Sequence, residues 1–123
     1  MDEKKICPLY CEGKLKVYVT MDVFEQIEST KESVKKKLFN RVKRLGDFGY
    51  INNIEQFRKI EGSDCENLWE IKLVNDGIRY FVYYDCDLRD KAVIFGWIKK
   101  PGNNLPKNTY KNFCKKMKEL SFQ

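Results

Sequence analysis

Apolar and polar residues alternate over Leu15-Lys16-Val17-Tyr18-Val19-Thr20, which places Leu15, Val17 and Val19 on one face of an extended strand. The period then lengthens. Val23, Ile27, Val34, Leu38, Val42 and Leu45 recur at near-helical spacing. Asp22 with Glu25 marks a helix start, because a side-chain oxygen can satisfy free N–H groups of the first turn. Ser29-Thr30-Lys31-Glu32 repeats that signal, so the pattern predicts two helices, near 22–30 and 31–45, with Gly46 as the left-handed residue closing the second. Four strand-like runs follow, at 57–61, 68–74, 78–85 and 91–99. Asn75-Asp76-Gly77 predicts a tight turn, and the connections at 62–67 and 86–90 are also short, so these consecutive strands run antiparallel. Beyond Pro101, Gly102 and Pro106, the spacing of Tyr110, Phe113, Met117 and Leu120 predicts a closing helix over 108–120. The order is β-α-α-β-β-β-β-α. It describes an α+β domain over residues 15–120, an antiparallel sheet with helices on one side, preceded by an N-terminal extension of residues 1–14.

The chain has 123 residues, enough for one domain, and its 42% hydrophobic and 14% aromatic content supports a real core. No apolar run reaches the roughly 18 residues of a membrane span, and Met1-Asp2-Glu3-Lys4-Lys5 leads into no apolar signal segment. The expectation is a cytoplasmic protein with no membrane partner. The absence of histidine removes Ser-His and Cys-His nucleophile systems and all His-based zinc ligation. Acid–base work is left to Lys, Arg, Tyr, Cys and carboxylates. Cys7, Cys11, Cys65, Cys86 and Cys114 are odd in number and irregular in spacing, a poor disulfide framework that reads as reduced thiols. The Cys7–Cys11 pair leaves a structural zinc site as the lesser alternative, and neither metal nor cofactor is expected.

Charge changes the picture more than composition does. Residues 1–98 carry 17 basic and 17 acidic side chains, and the whole net charge of +6 lies beyond them. There Lys99, Lys100, Lys107, Lys111, Lys115, Lys116 and Lys118 face Glu119 alone. Such a concentration draws a polyanion to one surface, although a solvated lysine-rich helix has the same composition.

Three motifs in order carry a resemblance. Leu68-Trp69-Glu70-Ile71-Lys72-Leu73, then Ile78-Arg79-Tyr80-Phe81-Val82-Tyr83-Tyr84, then Phe95-Gly96-Trp97-Ile98-Lys99-Lys100 with Pro106 downstream, resemble the RelE/ParE toxin superfamily, most closely its HigB-like branch. The chain departs from that pattern at Lys72, where the family carries arginine, at Ile78 of the Tyr-Arg pair, and at Trp97 of the Phe-x-Lys-Lys motif. The resemblance covers residues 15–120 and implies a RelE-like fold and a type II toxin–antitoxin toxin. Such a toxin is a ribosome-dependent mRNA endoribonuclease in which the substrate's 2′-hydroxyl attacks the adjacent phosphate. Its partners are the ribosome, mRNA and a cognate antitoxin with a helix-turn-helix DNA-binding domain. A ParE-like gyrase poison is the alternative within the superfamily, and a catalytically degenerate RNA- or antitoxin-binding relative is a third.

Weighed as chemistry, Arg79 lies mid-strand among apolar residues, where arginine needs a partner. That partner is an ion pair with Glu70 or Asp85, or a scissile phosphate gripped by the guanidinium fork. Lys72 comes near Arg79 across the hairpin, and two converging cations favour an anion between them. Lys99 and Lys100 must point to opposite faces if their strand stays regular. Lys100 is taken as a site residue and Lys99 as an RNA-backbone contact. Glu70 serves as general base or orients Arg79, with orientation preferred. Tyr110 is a phosphate or base contact, or a core aromatic. Lys107, Lys111 and Lys115 extend the RNA-docking surface, while Trp69 and Trp97 read as core.

Overall fold

A computed structural model describes residues 6–60, 65–99 and 106–120. Strands β1 (Ile6–Tyr10) and β2 (Lys16–Thr20) precede helices α1 (Met21–Glu28) and α2 (Glu32–Phe48). Strands β3 (Phe57–Lys59), β4 (Leu68–Leu73), β5 (Ile78–Tyr84) and β6 (Lys91–Lys99) follow, and α3 (Lys107–Leu120) closes the chain. The six strands form one sheet in the order β1-β2-β6-β5-β4-β3. The α+β class holds, and three features of the expected arrangement do not.

The sheet is mixed rather than antiparallel. β3 to β6 form the antiparallel meander that their short connections demand, but β2 runs parallel to β6. Hairpin logic sets direction only between consecutive strands. β2 meets a neighbour some 70 residues away in sequence, after the α1–α2 pair has carried the chain around. Residues 6–10, placed in an extension by the sequence, form edge strand β1 against β2.

Helices cover both faces rather than one. Val23, Ile27, Val34, Leu38, Val42 and Leu45 of α1 and α2 pack with Val17, Ile71, Tyr80, Val82 and Ile94. Cys114, Met117 and Leu120 of α3 pack with Leu68, Phe81, Tyr83, Val93 and Phe95 on the other side. Both alternating sets of β4 and β5, and most of β6, are buried, so each face needs a cover. α3 approaches closely because β6 has glycine at 96: a Cβ there would lie 2.4 Å from the Phe113 ring. Phe113 instead stacks on Phe81, with centroids 4.0 Å apart.

Helix ends also move. α2 runs on past Gly46, which is buried, to Phe48, and the left-handed cap is Gly49 at φ 76°. The helices do not start at the expected caps: α1 begins after Thr20 and α2 after Lys31, and neither of these makes a side-chain capping bond. Trp69 is 6% exposed and lies in the core, whereas Trp97 is 39% exposed at the sheet end and is not core. Among the described residues no helix is long and apolar enough to cross a membrane.

The cysteines divide. Cys7, Cys11 and Cys86 are free thiols, but Cys65 and Cys114 form a disulfide that ties the approach to β4 to the middle of α3. The expectation of reduced thiols throughout fails here because irregular spacing says nothing of which cysteines a fold brings together. Such bonds are rare in reducing compartments, which counts against the cytoplasmic expectation.

Closing 49 residues of chain is worth about 4 kcal/mol on the chain-entropy account. Cys65→Ser with Cys114→Ser should therefore lose about 2–4 kcal/mol, read from the urea midpoint, and wild type in dithiothreitol should lose the same. Unfolded without reductant, the chain should titrate three thiols, and five would exclude the bond.

Tyr84 has its hydroxyl buried against the Gly49 carbonyl, and burial pushes its pKa up to about 12. Below pH 10 it is protonated folded and unfolded. Between about 10 and 12 only the unfolded chain releases that proton, so stability should fall with rising pH across this window. The tyrosinate absorbance due to Tyr84, taken as the difference between wild type and Tyr84→Phe, should appear together with loss of circular dichroism. Full Tyr84 ionisation in a folded protein near pH 10 would contradict this.

Candidate functional site

β3 and β5 each place one charged residue, and β4 two, on the face that α3 covers. Register aligns Arg58 with Glu70, and Lys72 with Arg79. Alternation keeps Glu70 and Lys72 on the same side of β4. Glu70 is 0% exposed, Arg79 4% and Lys72 6%, in a sheet whose neighbouring side chains are apolar.

The Glu70 carboxylate answers its burial with both oxygens. Arg58 donates from Nε at 3.0 Å and from Nη2 at 2.5 Å to Oε2. Arg79 donates from Nη1 to Oε1 at 3.3 Å, and the same nitrogen reaches the Tyr110 hydroxyl at 3.3 Å. Burial works against the Arg58 charge, but the hydrogen bond and negative charge of Glu70 outweigh it, so its pKa is raised. Tyr110 is also raised, first by burial and then by the Glu70 charge, with Arg79 and Arg58 opposing. Lys72 has its Nζ 4.0 Å from Oε2 of the exposed Glu55. Two guanidiniums thus hold one enclosed carboxylate, and Lys72, opposite Arg79, has a second carboxylate beside it.

Of the residues singled out from sequence, Arg79, Lys72, Glu70 and Tyr110 come together. Arg79 takes Glu70 as its partner, and Asp85 instead accepts N–H bonds from its own loop at residues 87 and 88. Glu70 holds its neighbours with both oxygens and is closed to solvent, which fits orientation and not proton abstraction. Lys99 stands apart. It pairs in register with Ile78, whose side chain belongs to the α1–α2 face, so it does not share the face of Arg79. Lys100 lies outside the described residues, as does the side chain of Lys107. Lys111 and Lys115 are exposed on α3, away from the apolar stripe. Lys116, in the same basic run, pairs with Asp22 at 3.2 Å.

Sequence reasoning missed Arg58. Its signal was faint: a basic residue within one predicted strand and an acidic residue within the next, antiparallel to it. The intervening connection did not set the register, and register decides whether the two charges meet. Among the described residues no cluster of His, Cys, Asp and Glu could hold a metal. The best-formed cleft, about 220 Å³, does not open onto Arg79 and lies between α2 and the β4–β5 turn.

No family profile, curated protein or solved structure matches this chain. The site therefore stands on its own chemistry: a half-buried cationic cluster, organised by one carboxylate, beside a phenol.

Glu70→Gln should destabilise the fold by about 3 kcal/mol or more, because two guanidiniums then lose a buried counter-charge. Tyr110→Phe should cost about 1 kcal/mol, the scale of one hydrogen bond. Urea denaturation reads both. A neutral Glu70→Gln would show that the carboxylate does not organise the cluster.

Proposed function

We propose that this protein is an RNA-cleaving toxin of the kind its motifs resemble, acting on ribosome-bound mRNA. The reading is carried by the gathering of Arg58, Lys72 and Arg79 on one sheet face, the two guanidiniums held by the enclosed Glu70 and Lys72 opposite Arg79. Guanidinium forks suit phosphate oxygens, and a fixed cation stabilises charge that builds on a phosphate in flight. In the proposed reaction the substrate 2′-hydroxyl loses its proton to water as its oxygen bonds to phosphorus, and the bond to the 5′-oxygen breaks as that oxygen takes a proton from water, leaving a 2′,3′-cyclic phosphate and a 5′-hydroxyl. Arg58, with 39% of its side chain exposed, meets the phosphate first. Arg79 and Tyr110 lie behind it, and Glu70 holds both guanidiniums in orientation. The ribosome supplies alignment of the mRNA, a contribution that small cationic sites cannot provide alone. Lys111 and Lys115 offer ribosomal RNA a docking surface. A cognate antitoxin would be the partner that silences the site.

A second reading has its own support. Arg79 and Lys72 are 4% and 6% exposed, which suits a relative whose cations stabilise the fold and whose surface only binds RNA or an acidic partner.

Primer extension on mRNA in translating extracts separates the two. Arg58→Ala and Arg79→Ala should each slow cleavage by about 10²-fold or more while the protein stays folded. Lys111→Ala with Lys115→Ala should weaken ribosome binding and flatten its salt dependence, with the rate on saturated ribosomes unchanged. Binding without any cleavage by wild type would remove the nuclease reading in favour of the second.

A further inference from the structure

The cleft between α2 and the β4–β5 turn is lined by Lys37, Arg41, Asn53, Glu55, Gln56 and Asp76 among others, and measures about 220 Å³. Its acceptors are in large part engaged by this chain's own donors. Asp76 takes Lys37 at 2.9 Å, and Glu55 faces the Lys72 Nζ at 4.0 Å. Asn53 Oδ1 accepts the Glu55 N–H at 2.9 Å, and Gln56 Oε1 accepts from Arg44 Nη1 at 3.3 Å.

The donors are not. The side-chain amide nitrogens of Asn53 and Gln56 make no hydrogen bond among the described residues, and neither does that of Asn75 at the turn. Arg41 is half-buried and spends Nη1 on the Lys72 carbonyl, but no carboxylate among the described residues lies within ion-pair distance of it. Burial lowers its pKa against the attraction of Asp76, the mark of a guanidinium without a close counter-charge. A concave site whose two carboxylates each lie beside a lysine, with open amide donors and an arginine lacking a close carboxylate, suits an oxyanion.

We propose that the Arg41 cleft binds a phosphate group, and that in the RNA-cleaving reading, on which this assignment of source rests, it holds a second backbone phosphate of the same strand. The two sites are joined through Lys72: its carbonyl is held by Arg41, its N–H by the Gln56 carbonyl, and its side chain lies opposite Arg79. A strand touching the cationic cluster and the cleft would be gripped at two points, which sets its direction and register across the sheet end.

The test uses the full chain and heteronuclear correlation spectra that include the arginine Nε–H region. Inorganic phosphate should shift the Arg41 Nε–H resonance and the backbone amides of residues 53–56 and 73–76 saturably, and acetate at equal concentration should not. Arg41→Gln should abolish the shifts. Gln56→Glu, which keeps an acceptor for Arg44 and adds a negative charge, should weaken phosphate binding about tenfold or more even if Arg41→Gln misfolds. A 2′-O-methylated tetranucleotide, which cannot be cleaved, should bind more tightly than phosphate. Its salt slope should fall by about 0.7 in Arg41→Gln, one phosphate of a single strand. Equal shifts with acetate, or none at the cleft with phosphate, overturn the site. Phosphate shifts without oligonucleotide contact overturn the RNA source and leave a site for free phosphate. If the cleft responds as expected but wild type never cuts mRNA, the cleavage reading falls and the cleft stands.

Discussion

A carboxylate with no exposed surface sits in the middle of an apolar sheet, and much of this molecule is arranged around that fact. Burying that carboxylate requires that its oxygens be occupied by donors that bring positive charge. Arg58 arrives from β3 and Arg79 from β5, so the pairing joins three adjacent strands at one register. A slip of one residue in either neighbour would turn its guanidinium to the opposite face and strand the carboxylate. The ion triad is thus a device that penalises wrong registers as much as one that stabilises the right one.

The same triad ties the third helix to the sheet. Tyr110 on α3 takes an N–H of Arg79, one turn before the cysteine that is bonded to Cys65. Between them, Phe113 stacks on Phe81 over the glycine of β6. Polar, covalent and apolar contacts therefore fall within one turn of helix, and they place α3 directly beside the cations. Its outward lysines and the cluster beneath become parts of one positively charged end of the molecule. A polyanion drawn to the helix would meet Arg58 next, since that guanidinium is the most exposed of the three.

Packing on two faces explains why the site is half closed. Because both sides of β4, β5 and β6 carry apolar residues that must be buried, α1 and α2 cannot cover them all, and α3 must take the second face. The cover leaves Arg58 accessible and encloses Arg79 and Lys72. Enclosure strengthens any interaction these cations make, because their field is less screened than at the surface.

Local pattern determined much of this protein. Period-two and near-helical runs located eight of its elements to within a few residues, and the Asn75-Asp76-Gly77 turn placed Lys72 opposite Arg79, since both signals depend on neighbours in the chain. Arg79 was legible as an arginine in need of a partner for the same reason: its apolar flanks announce burial. What the sequence could not determine were relations between distant segments. The parallel pairing of β2 with β6, the strand made by residues 6–10, the passage of α3 to the far face, the Cys65–Cys114 bond and the meeting of Arg58 with Glu70 all depend on register and handedness of packing. Those are set by the burial of both sheet faces at once, a condition of the folded chain as a whole that no window of neighbouring residues contains.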